Sequence, residues 1–354
     1  MVDSLQPVPK RAEVTLIDVA REAGVHASTV SRALDPSKAH RVREATRDQI
    51  HEVADRLGYR PHLIARGLQS GRTSTVAFIA ADLGNTFVTP IIHGVAGSIA
   101  DAGMLPVIAE TEDDHSRFAA IIDHMLSRRV DGIVAAAARA GDRDILESAA
   151  RIVPVILVGR PLEGSHLPQV AHDDRQGGRM VAEHLGELGH RTVVQLPGPP
   201  DVANFPRRAS GFSEGAERIG MTEISFADIA EGPTASEGRR LMEGLLDLGE
   251  VPTAVFAHND LMALGALAVM RERGLSVPGD VSLVGYNDLP TVGYVTPPLT
   301  TLRYPSLEIG RAAGELMIEL LGGKETGGEH YLEPELIVRA STRSILPYQS
   351  EESS

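Results

Sequence analysis

The sequence predicts an α/β protein in which an N-terminal helix-turn-helix and a hinge helix precede two parallel-sheet α/β subdomains. Residues 15–34 contain two short helical patterns separated by a glycine. From residue 73 onward, short apolar strands alternate with helical patterns, which is typical of parallel sheets with crossover helices. These strands fall into two runs, too many for one sheet, so we expect two subdomains, the second beginning near Asp173.

The first helical pattern is set by Leu16, Val19 and Ala20, whose spacing gives one apolar face. Gly24 follows and suits the tight turn between two helices. A second helix is predicted to begin near Ala27. On its own, this arrangement also fits an ordinary amphipathic helical hairpin.

The second helix is predicted to bury its apolar residues and to expose a polar face. The exposed set is Ala27, Ser28, Thr29, Ser31 and Arg32. A face of this size fits a major groove, where small residues permit close approach and arginine can bond guanine in a bidentate manner. We therefore expect Ala27, Ser28 and Arg32 to read bases, with Arg32 the strongest candidate. Thr29 and Ser31 are expected to contact phosphates.

The residue string itself is more specific than its pattern. The strings TLIDVA at 15–20, AGV at 23–25 and TVSR at 29–32 resemble the N-terminal DNA-binding domain of the lac repressor family of bacterial transcription regulators. The resemblance argues against the simple hairpin and makes residues 1–60 a DNA-binding headpiece. Thr15, which opens the pattern, joins the expected DNA-binding residues.

The resemblance continues through a third helix, predicted at 42–57, into a hinge helix and linker at 61–72. Pro61 suits a helix start, whereas Gly67 is a poor helix former. We therefore expect the hinge segment to be only marginally helical alone, which is useful in a switch.

The family resemblance also implies the contacts of the hinge. Two hinge helices, one from each subunit, would order together in the minor groove, where Leu68 matches the family's wedge leucine. His62 and Ala65 complete the expected contacts. His62 stands where the family usually has Asn or a similar capping residue.

Charge is divided unevenly along the chain, whose formal net charge is −14. Residues 1–72 carry 12 Lys and Arg against 9 Asp and Glu, a balance of +3, and the remainder carries 22 against 39, a balance of −17. The acidic body should therefore keep non-specific DNA binding modest and strongly salt-dependent.

The body is predicted to contain eight strands before residue 290 and several helices between them. The strands are 76–80, 105–109, 132–136, 155–158, 192–196, 224–227, 254–257 and 282–285. The helices are 87–102, 117–126, 175–188, 208–219, 236–246 and 260–273. A proline-stiffened stretch at 297–301, a helix at 306–320 and a last strand near 332–339 follow. We assign 73–172 plus 293–325 to the first subdomain, 173–292 plus 326–346 to the second, and 347–354 to a polar tail.

Strings in this body resemble the effector-binding and dimerisation domain of the same family, which shares its fold with periplasmic sugar-binding proteins. They include HLGELGHR at 184–191, NDLMALG at 259–265, VGYND at 284–288 and PPLTT at 297–301. The resemblance spans nearly the whole chain. It implies a ligand cleft between two subdomains of the periplasmic-binding-protein type.

In open α/β sheets, ligands bind beyond the carboxyl ends of strands. Asn85, Phe87, Arg208, Asn259 and Asn287 meet that criterion or lie beside it. Arg208 matches a family arginine that holds effector hydroxyls or a carboxylate, although a solvated helix arginine fits the sequence equally well. Phe87 could offer a stacking face, but it also fits the core.

Two departures from the family weaken a sugar assignment. Asn287 stands where many members have Asp, so a charge-assisted acceptor becomes a neutral group that can also donate. Gly159 likewise replaces a common pocket-edge Asp. A sugar or related small polar metabolite is expected as the effector, and a nucleoside or polyol fits almost as well.

Other function classes are disfavoured. The absence of cysteine excludes disulfides and thiolate metal sites. No nucleophile elbow, P-loop, dinucleotide fingerprint or H-E-x-x-H string occurs, so we expect no catalysis, no cofactor and no metal. Asp113 and Asp114 are expected to cap a helix in a solvated loop, and His258 to be a satisfied or pocket histidine. A small-molecule-binding protein without a regulatory role remains the alternative.

The expected mechanism is a homodimer on a pseudo-palindromic operator of double-stranded DNA, controlled by a small-molecule effector. No leucine heptad follows Leu346, so a dimer rather than a tetramer is expected. No signal peptide or apolar run of about 18 residues occurs, which favours a cytoplasmic protein without a membrane partner. Most family members repress, whereas release and promotion of DNA binding by the effector both remain open.

Overall fold

The computed structural model describes residues 14–35, 38–59, 72–225, 228–249, 251–324 and 327–346. The chain forms two compact units, Met1–Thr73 and Ser74–Ser354. The predicted hinge and the predicted polar tail lie outside the described residues, except for Arg72.

In the described part of the first unit, three helices pack around a small apolar core. They are α1 (Leu16–Glu22), α2 (Ala27–Ala33) and α3 (Glu44–Leu57). Val19, Val30 and Ile50 supply one fully buried side chain from each helix, and the predicted helix-turn-helix is confirmed. The third helix begins two residues later than predicted, after a short 3-10 turn at Ala39–Arg41.

The described residues of the second unit form two six-stranded sheets. In chain order the strands are β1 (Thr75–Ala80), β2 (Leu105–Glu110), β3 (Gly132–Ala135), β4 (Val155–Val158), β5 (Gln169–His172), β6 (Thr192–Leu196), β7 (Thr222–Glu223), β8 (Ala254–Ala257), β9 (Ser282–Asn287), β10 (Thr300–Arg303), β11 (Glu329–Leu332) and β12 (Glu335–Ile337). The strand orders are β11-β5-β4-β3-β1-β2 and β12-β10-β9-β8-β6-β7. Every pairing among them is parallel except that of β10 with β12.

Helices cover both sheets. They are α4 (Val88–Asp101), α5 (His115–Ser127), α6 (Arg143–Ala150), α7 (Asp174–Glu187), α8 (Asn204–Arg218), α9 (Ala235–Asp247), α10 (Asp260–Glu272) and α11 (Ser306–Leu321). Three close pairs form, α4 with α11, α7 with α8 and α9 with α10. No helix in the described part of the chain is long and apolar enough to cross a membrane.

Glycines allow α7 and α8 to pack backbone against backbone. A Cβ atom on Gly211 of α8 would collide with the carbonyl of Arg175, and one on Gly178 of α7 would collide with the carbonyl of Arg208. Since Gly211 lies one helical turn after Arg208, this close crossing also fixes where Arg208 stands.

The predicted fold class of two parallel-sheet subdomains is confirmed, with differences in detail. The strands β5 and β11 and the helix α6 were not predicted from the sequence, and β7 begins two residues earlier than predicted and ends at Glu223. The strands β5 and β11 carry polar residues such as Gln169, His172 and Glu329, so they lack the apolar runs used to find strands.

The assignment of the C-terminal strands to subdomains is wrong for β10 and β11. The prediction places residues 293–325 in the first subdomain, yet β10 pairs with β9 in the second sheet. It places 326–346 in the second, yet β11 pairs with β5 in the first. The prolines at 297–298 suggested a crossing linker, but buried Thr300, Thr301 and Leu302 make the next residues a sheet strand. The helix α11 does pack on α4, as the assignment required.

Candidate DNA-reading helix and ligand cavity

Thr15 begins α1 through reciprocal hydrogen bonds with Asp18. The Oγ1 of Thr15 accepts from the backbone N–H of Asp18 at 3.3 Å, and the Asp18 carboxylate accepts from the backbone N–H of Thr15 at 2.9 Å. Hydrogen bonds from Thr15 to the carboxylate lower the pKa of Asp18. Thr15 therefore has a capping role, and its DNA contact stays a prediction.

Gly24 makes the turn between α1 and α2 with φ of +64°, a conformation that glycine adopts without steric cost. On α2, Ser28 and Arg32 are exposed, whereas Ala27, Thr29 and Ser31 are partly buried. Nη2 of Arg32 donates to Oγ of Ser28 at 3.3 Å. Ser28 and Arg32 thus share one exposed face, the face predicted to read bases.

His26 caps α2, a role that the sequence analysis did not predict. Its Nδ1 accepts from the backbone N–H of Ser28 at 3.2 Å and lies 2.9 Å from the Oγ of Ser28. Because Nδ1 accepts, the capping ring carries its proton on Nε2. Histidine is not among the usual N-cap residues, so no sequence rule pointed to it.

The three predicted hinge contacts, His62, Ala65 and Leu68, lie outside the described residues. Their contacts with the minor groove stay predictions.

A cavity of about 500 Å³ lies where the carboxyl ends of strands from both sheets meet. All five residues predicted from the sequence line it: Asn85, Phe87, Arg208, Asn259 and Asn287. Its volume falls within the roughly 300–1,000 Å³ typical of small-molecule sites. Its walls come from loops after β1 to β4, from α8 and from the ends of β8 and β9, so a bound ligand would contact both subdomains.

Arg208 is buried against an acidic partner rather than solvated, with only 3% of the residue exposed. Its Nε donates to Oδ1 of Asp174 at 2.7 Å, and its Nη1 donates to the carbonyl of His258 at 2.5 Å. The guanidinium also lies over the Tyr286 ring, 3.7 Å from its centroid. Burial by itself would raise the pKa of Asp174, but Arg208 and His172 hold it at about 2. The solvated alternative for Arg208 is therefore wrong.

Asn204 joins the two subdomains beside this ion pair. Its Nδ2 donates to Oδ2 of Asp174 and to the carbonyl of Gly159, both at 2.6 Å. Gly159 follows β4, lines the cavity and has φ of +72°. At this pocket edge Gly159 therefore offers a backbone carbonyl and no side chain.

Asn259 is held by the protein at both ends of its amide. Its Oδ1 accepts from the backbone N–H of Met262 at 2.7 Å, which caps α10, and its Nδ2 donates to the carbonyl of Pro233 at 2.9 Å. These bonds place Asn259 rigidly in the cavity wall.

Asn85 and Phe87 stand on the opposite wall, after β1. The Oδ1 of Asn85 accepts from the backbone N–H of Phe87 at 3.2 Å. The Phe87 ring meets the Tyr304 ring edge to face, with centroids 4.6 Å apart. Phe87 packs against the apolar core and lines the cavity, so both roles considered from the sequence apply.

Asn287 has an unpaired acceptor at the cavity. Its Oδ1 is buried without a hydrogen-bond partner within the described structure. Its backbone has φ of +114°, and that of Asp288 has φ of +57°. An unpaired buried acceptor and a strained backbone both cost free energy, and such costs concentrate at functional sites.

A group of charged residues on the first-subdomain wall was not predicted from the sequence. Asp113 lies between Arg139 and Arg160, and all three line the cavity. The neighbouring Asp114 caps α5 as expected, but Asp113 is wrongly assigned to a solvated loop. All three missed residues follow strands of the first sheet, so the strand-end rule that found Asn85 could have found them.

His258 is a satisfied histidine behind the cavity, in line with one of its two predicted roles. Its Nε2 donates to Oε1 of Gln195 at 2.8 Å, and its Nδ1 accepts from the backbone N–H of Gly198 at 3.3 Å. Burial and the charge of Arg208 lower the pKa of His258 to about 3. The ring is therefore neutral near pH 7.

Comparison with protein families gives two matches. Residues 15–62 match the family described as bacterial regulatory proteins, lacI family, and residues 182–342 match a periplasmic binding protein-like domain. The first match covers α1 to α3, and the second covers all six strands of the second sheet.

Individual relatives cover almost the whole chain. The HTH-type transcriptional repressor CytR of Escherichia coli strain K12 is 32% identical over 334 residues, 94% of this chain and 97% of CytR. The repressor PurR of Vibrio atlanticus is 29% identical, covering 94% and 99%. The crystal structure of the lac repressor dimer bound to operator and the anti-inducer ONPF matches with a TM-score of 0.84 and 26% identity, covering 94% and 99%. A complex of the regulator CelR with cellobiose matches with a TM-score of 0.70 and 30% identity, covering 93% and 100%.

Proposed function

The chain belongs to the lacI family of bacterial regulatory proteins, and on that premise we propose that it is a repressor that binds a pseudo-palindromic operator as a dimer. A small polar metabolite in the cavity controls it. One observation supports this proposal above all. The same chain has a cavity lined by both subdomains and a helix-turn-helix with an exposed face.

The DNA-binding part of the proposal rests on α2. Arg32 and Ser28 are exposed on one face, and the buried Val30 fixes which face that is. Arg32 and Ser28, with Ala27, read base edges, and Thr29 and Ser31 contact phosphates. His62, Ala65 and Leu68 act in the central minor groove.

The proposed dimer rests on an open sheet edge. The strand β2 ends the first sheet, and it exposes Leu105 and Ile108 by 62% and 44%. An exposed apolar edge strand needs a cover to avoid aggregation. We assign that cover to a second copy of the chain, in keeping with the lac repressor dimer.

The proposed control by an effector rests on the position of the cavity. Arg208 and Asn287 come from the second subdomain, and Asn85 and Asp113 come from the first, so a ligand that bonds to both sets favours one angle between the subdomains. That angle sets the spacing of the two hinge segments in a dimer. The coupling is reciprocal, so operator DNA changes effector affinity by the same factor.

Selection from a genomic fragment library tests the proposal. Purified protein is mixed with the fragments, and enriched fragments are footprinted at two salt concentrations. We expect a short pseudo-palindrome with a distorted central step. A variant with Ser28→Ala and Arg32→Ala should enrich nothing while keeping its helical circular dichroism. Diffuse, salt-abolished binding with and without pooled metabolites would instead support a small-molecule-binding protein that does not regulate genes.

A further inference from the structure

The charges around the cavity identify the class of ligand. We infer that the cavity takes an uncharged ligand rich in hydrogen-bond donors, such as a polyol or nucleoside, and that Asp113 excludes phosphorylated and other anionic ligands. This inference rests on the proposed function, because it assigns the effector site of that function.

Each of the three arginines that line the cavity is neutralised by a protein carboxylate. Arg208 bonds to Asp174 at 2.7 Å. Arg160 bonds through Nη1 to Oδ1 of Asp113 at 2.7 Å, and Arg139 bonds through Nη2 to Oδ2 of Asp113 at 2.9 Å. Every arginine of the described lining is therefore paired with a carboxylate, and none is free to attract an anion.

Arg139 and Arg160 differ in what they would do without Asp113. Arg139 also bonds to Asp201, which follows β6 of the second sheet. Arg160 bonds to no second carboxylate among the described residues, its other acceptor being the carbonyl of Ala137 at 3.4 Å. Removal of the Asp113 charge would thus free one cation, Arg160, inside the cavity.

The rest of the lining adds negative charge. Asp82, Glu110, Glu112 and Glu231 also line the cavity, so with Asp113 its described lining has five carboxylates against three guanidinium groups, and of these carboxylates Glu112 is paired with Arg117 outside the lining. A phosphate or carboxylate on a ligand would meet net negative charge in a space partly shielded from water, where repulsion is stronger than in bulk solvent.

The same groups offer acceptors to a neutral ligand. Asn287 Oδ1 is buried and unpaired. Asp82 Oδ1 accepts from the backbone N–H of Gly84, and Glu110 Oε1 accepts from that of Leu83, each at 2.7 Å. A carboxylate can accept about four hydrogen bonds, so both keep capacity for ligand hydroxyl or amino groups.

Asp113 is held in place by a strained turn. Glu112 and Asp113 have φ of +53° and +58°, a pair of left-handed residues separated from the end of β2 by Thr111. The backbone N–H of Asp113 donates to the carbonyl of Ala81 at 3.0 Å and to Oγ1 of Thr111 at 3.2 Å. This geometry puts the carboxylate where a ligand phosphate would otherwise form bidentate bonds with arginine.

The carboxylate also stays charged at neutral pH. Burial would raise the pKa of Asp113, but Arg160 and Arg139 outweigh it and hold the pKa below its ordinary value. The Asp113 carboxylate therefore occupies the position beside Arg139 and Arg160 in which a ligand anion would bind.

Inorganic phosphate tests the exclusion without knowledge of the effector. Thermal unfolding is followed against phosphate at constant ionic strength for the wild type, Asp113→Asn and the control Asp114→Asn, which makes the same charge change on an exposed helix cap. We expect phosphate to bind Asp113→Asn at least ~10-fold more tightly than the other two. Adding Arg160→Gln to Asp113→Asn should abolish the gain. Equal phosphate binding by the wild type, or a folded Asp113→Asn protein without any gain, would overturn the inference.

Matched compounds test the ligand class in the same assay. Ribose, glucose and cytidine are each compared with their phosphorylated forms. In the wild type, no phosphorylated form should stabilise the protein more than its uncharged counterpart, and in Asp113→Asn the balance should shift toward the phosphorylated forms. A phosphorylated form that is the better stabiliser of the wild type contradicts the inference. No DNA is present, so failure of operator binding would not affect this result.

Discussion

Arg208 and Asp174 form an ion pair that is almost entirely removed from water, with Nε and Oδ1 2.7 Å apart. The pair joins α8 to the start of α7 at the back of the cavity. A buried pair is costly to break, because the remaining charge has no solvent to stabilise it. The pair therefore organises the second-subdomain wall and also makes it sensitive to mutation.

Substitution Asp174→Asn should lower the free energy of unfolding at pH 7 by about 3 kcal/mol, since it leaves Arg208 buried without a counter-charge. Urea titration measures the loss. The control Asp173→Asn, which keeps an N-cap acceptor for α7, should change stability little. Equal losses in the two variants would show that the ion pair has no special role.

The same pair predicts an acid dependence. The pKa of Asp174 is about 2 in the folded protein, below its ordinary value of 3.8. The stabilisation that the ionised Asp174 gives the folded state is therefore present above about pH 4 and is lost as pH falls toward 2. This shift corresponds to about 2 kcal/mol. The gap in unfolding free energy between wild type and Asp174→Asn should therefore shrink between pH 5 and pH 2. A constant gap would contradict the shift.

Asp260 predicts the opposite pH dependence. Burial raises its pKa to about 7, against hydrogen bonds from Thr301 and the Leu289 backbone N–H. The unfolded chain loses this proton near pH 4 and the folded chain near pH 7, so stability falls as pH rises between these values, by at most about 4 kcal/mol. Asp260→Asn mimics the protonated form and should become progressively more stable than wild type from pH 4 to pH 8. The exposed Asp247→Asn should show no such trend.

The crossing of α7 and α8 predicts a contrast between two glycines. Gly211→Ala should destabilise the protein by about 1–3 kcal/mol and weaken ligand binding, because the new methyl group pushes α8 and Arg208 away from α7. Gly97→Ala on α4 meets open space and should stabilise by up to about 1 kcal/mol. Chemical denaturation of the two variants measures both effects. A Gly211→Ala protein as stable as wild type would disprove the close crossing.

Some of this site could be predicted and some could not. Strand-end position found Asn287, since the apolar runs in β8 and β9 are easy to read, whereas Arg208 was found through its match to a family arginine. The same strand-end rule could have found Arg160. Asp113 was instead assigned to a solvated loop because it is charged and because its arginine partners are distant in sequence. Likewise, β11 was missed because an edge strand with exposed His330 and Tyr331 carries no alternation of apolar residues. Long-range pairing is what the sequence pattern does not contain.

The open edge of β2 predicts the assembly. Leu105→Lys combined with Ile108→Lys should convert a dimer into a monomer in light scattering coupled to size exclusion, because two charges would be buried at the interface. Ile152→Lys, which alters another exposed apolar residue away from this edge, should remain dimeric. If both proteins stay dimeric, the interface lies elsewhere.

The exposed face of α2 predicts base-specific loss. Arg32→Ala should cost about 1–3 kcal/mol on the selected operator and relax preference at one base pair. The control Arg21→Ala removes a charge from α1 and should weaken binding to all sequences alike. Uniform weakening by Arg32→Ala across all operator variants would refute base readout by this residue.

We propose above all that this chain reads a DNA sequence. The most direct test is the affinity of the wild type for the selected pseudo-palindrome relative to a shuffled duplex of the same length, at two salt concentrations. We predict a ratio of at least about 10³ that persists at the higher salt, where non-specific binding is weakened. A ratio near one at both salt concentrations would contradict the account.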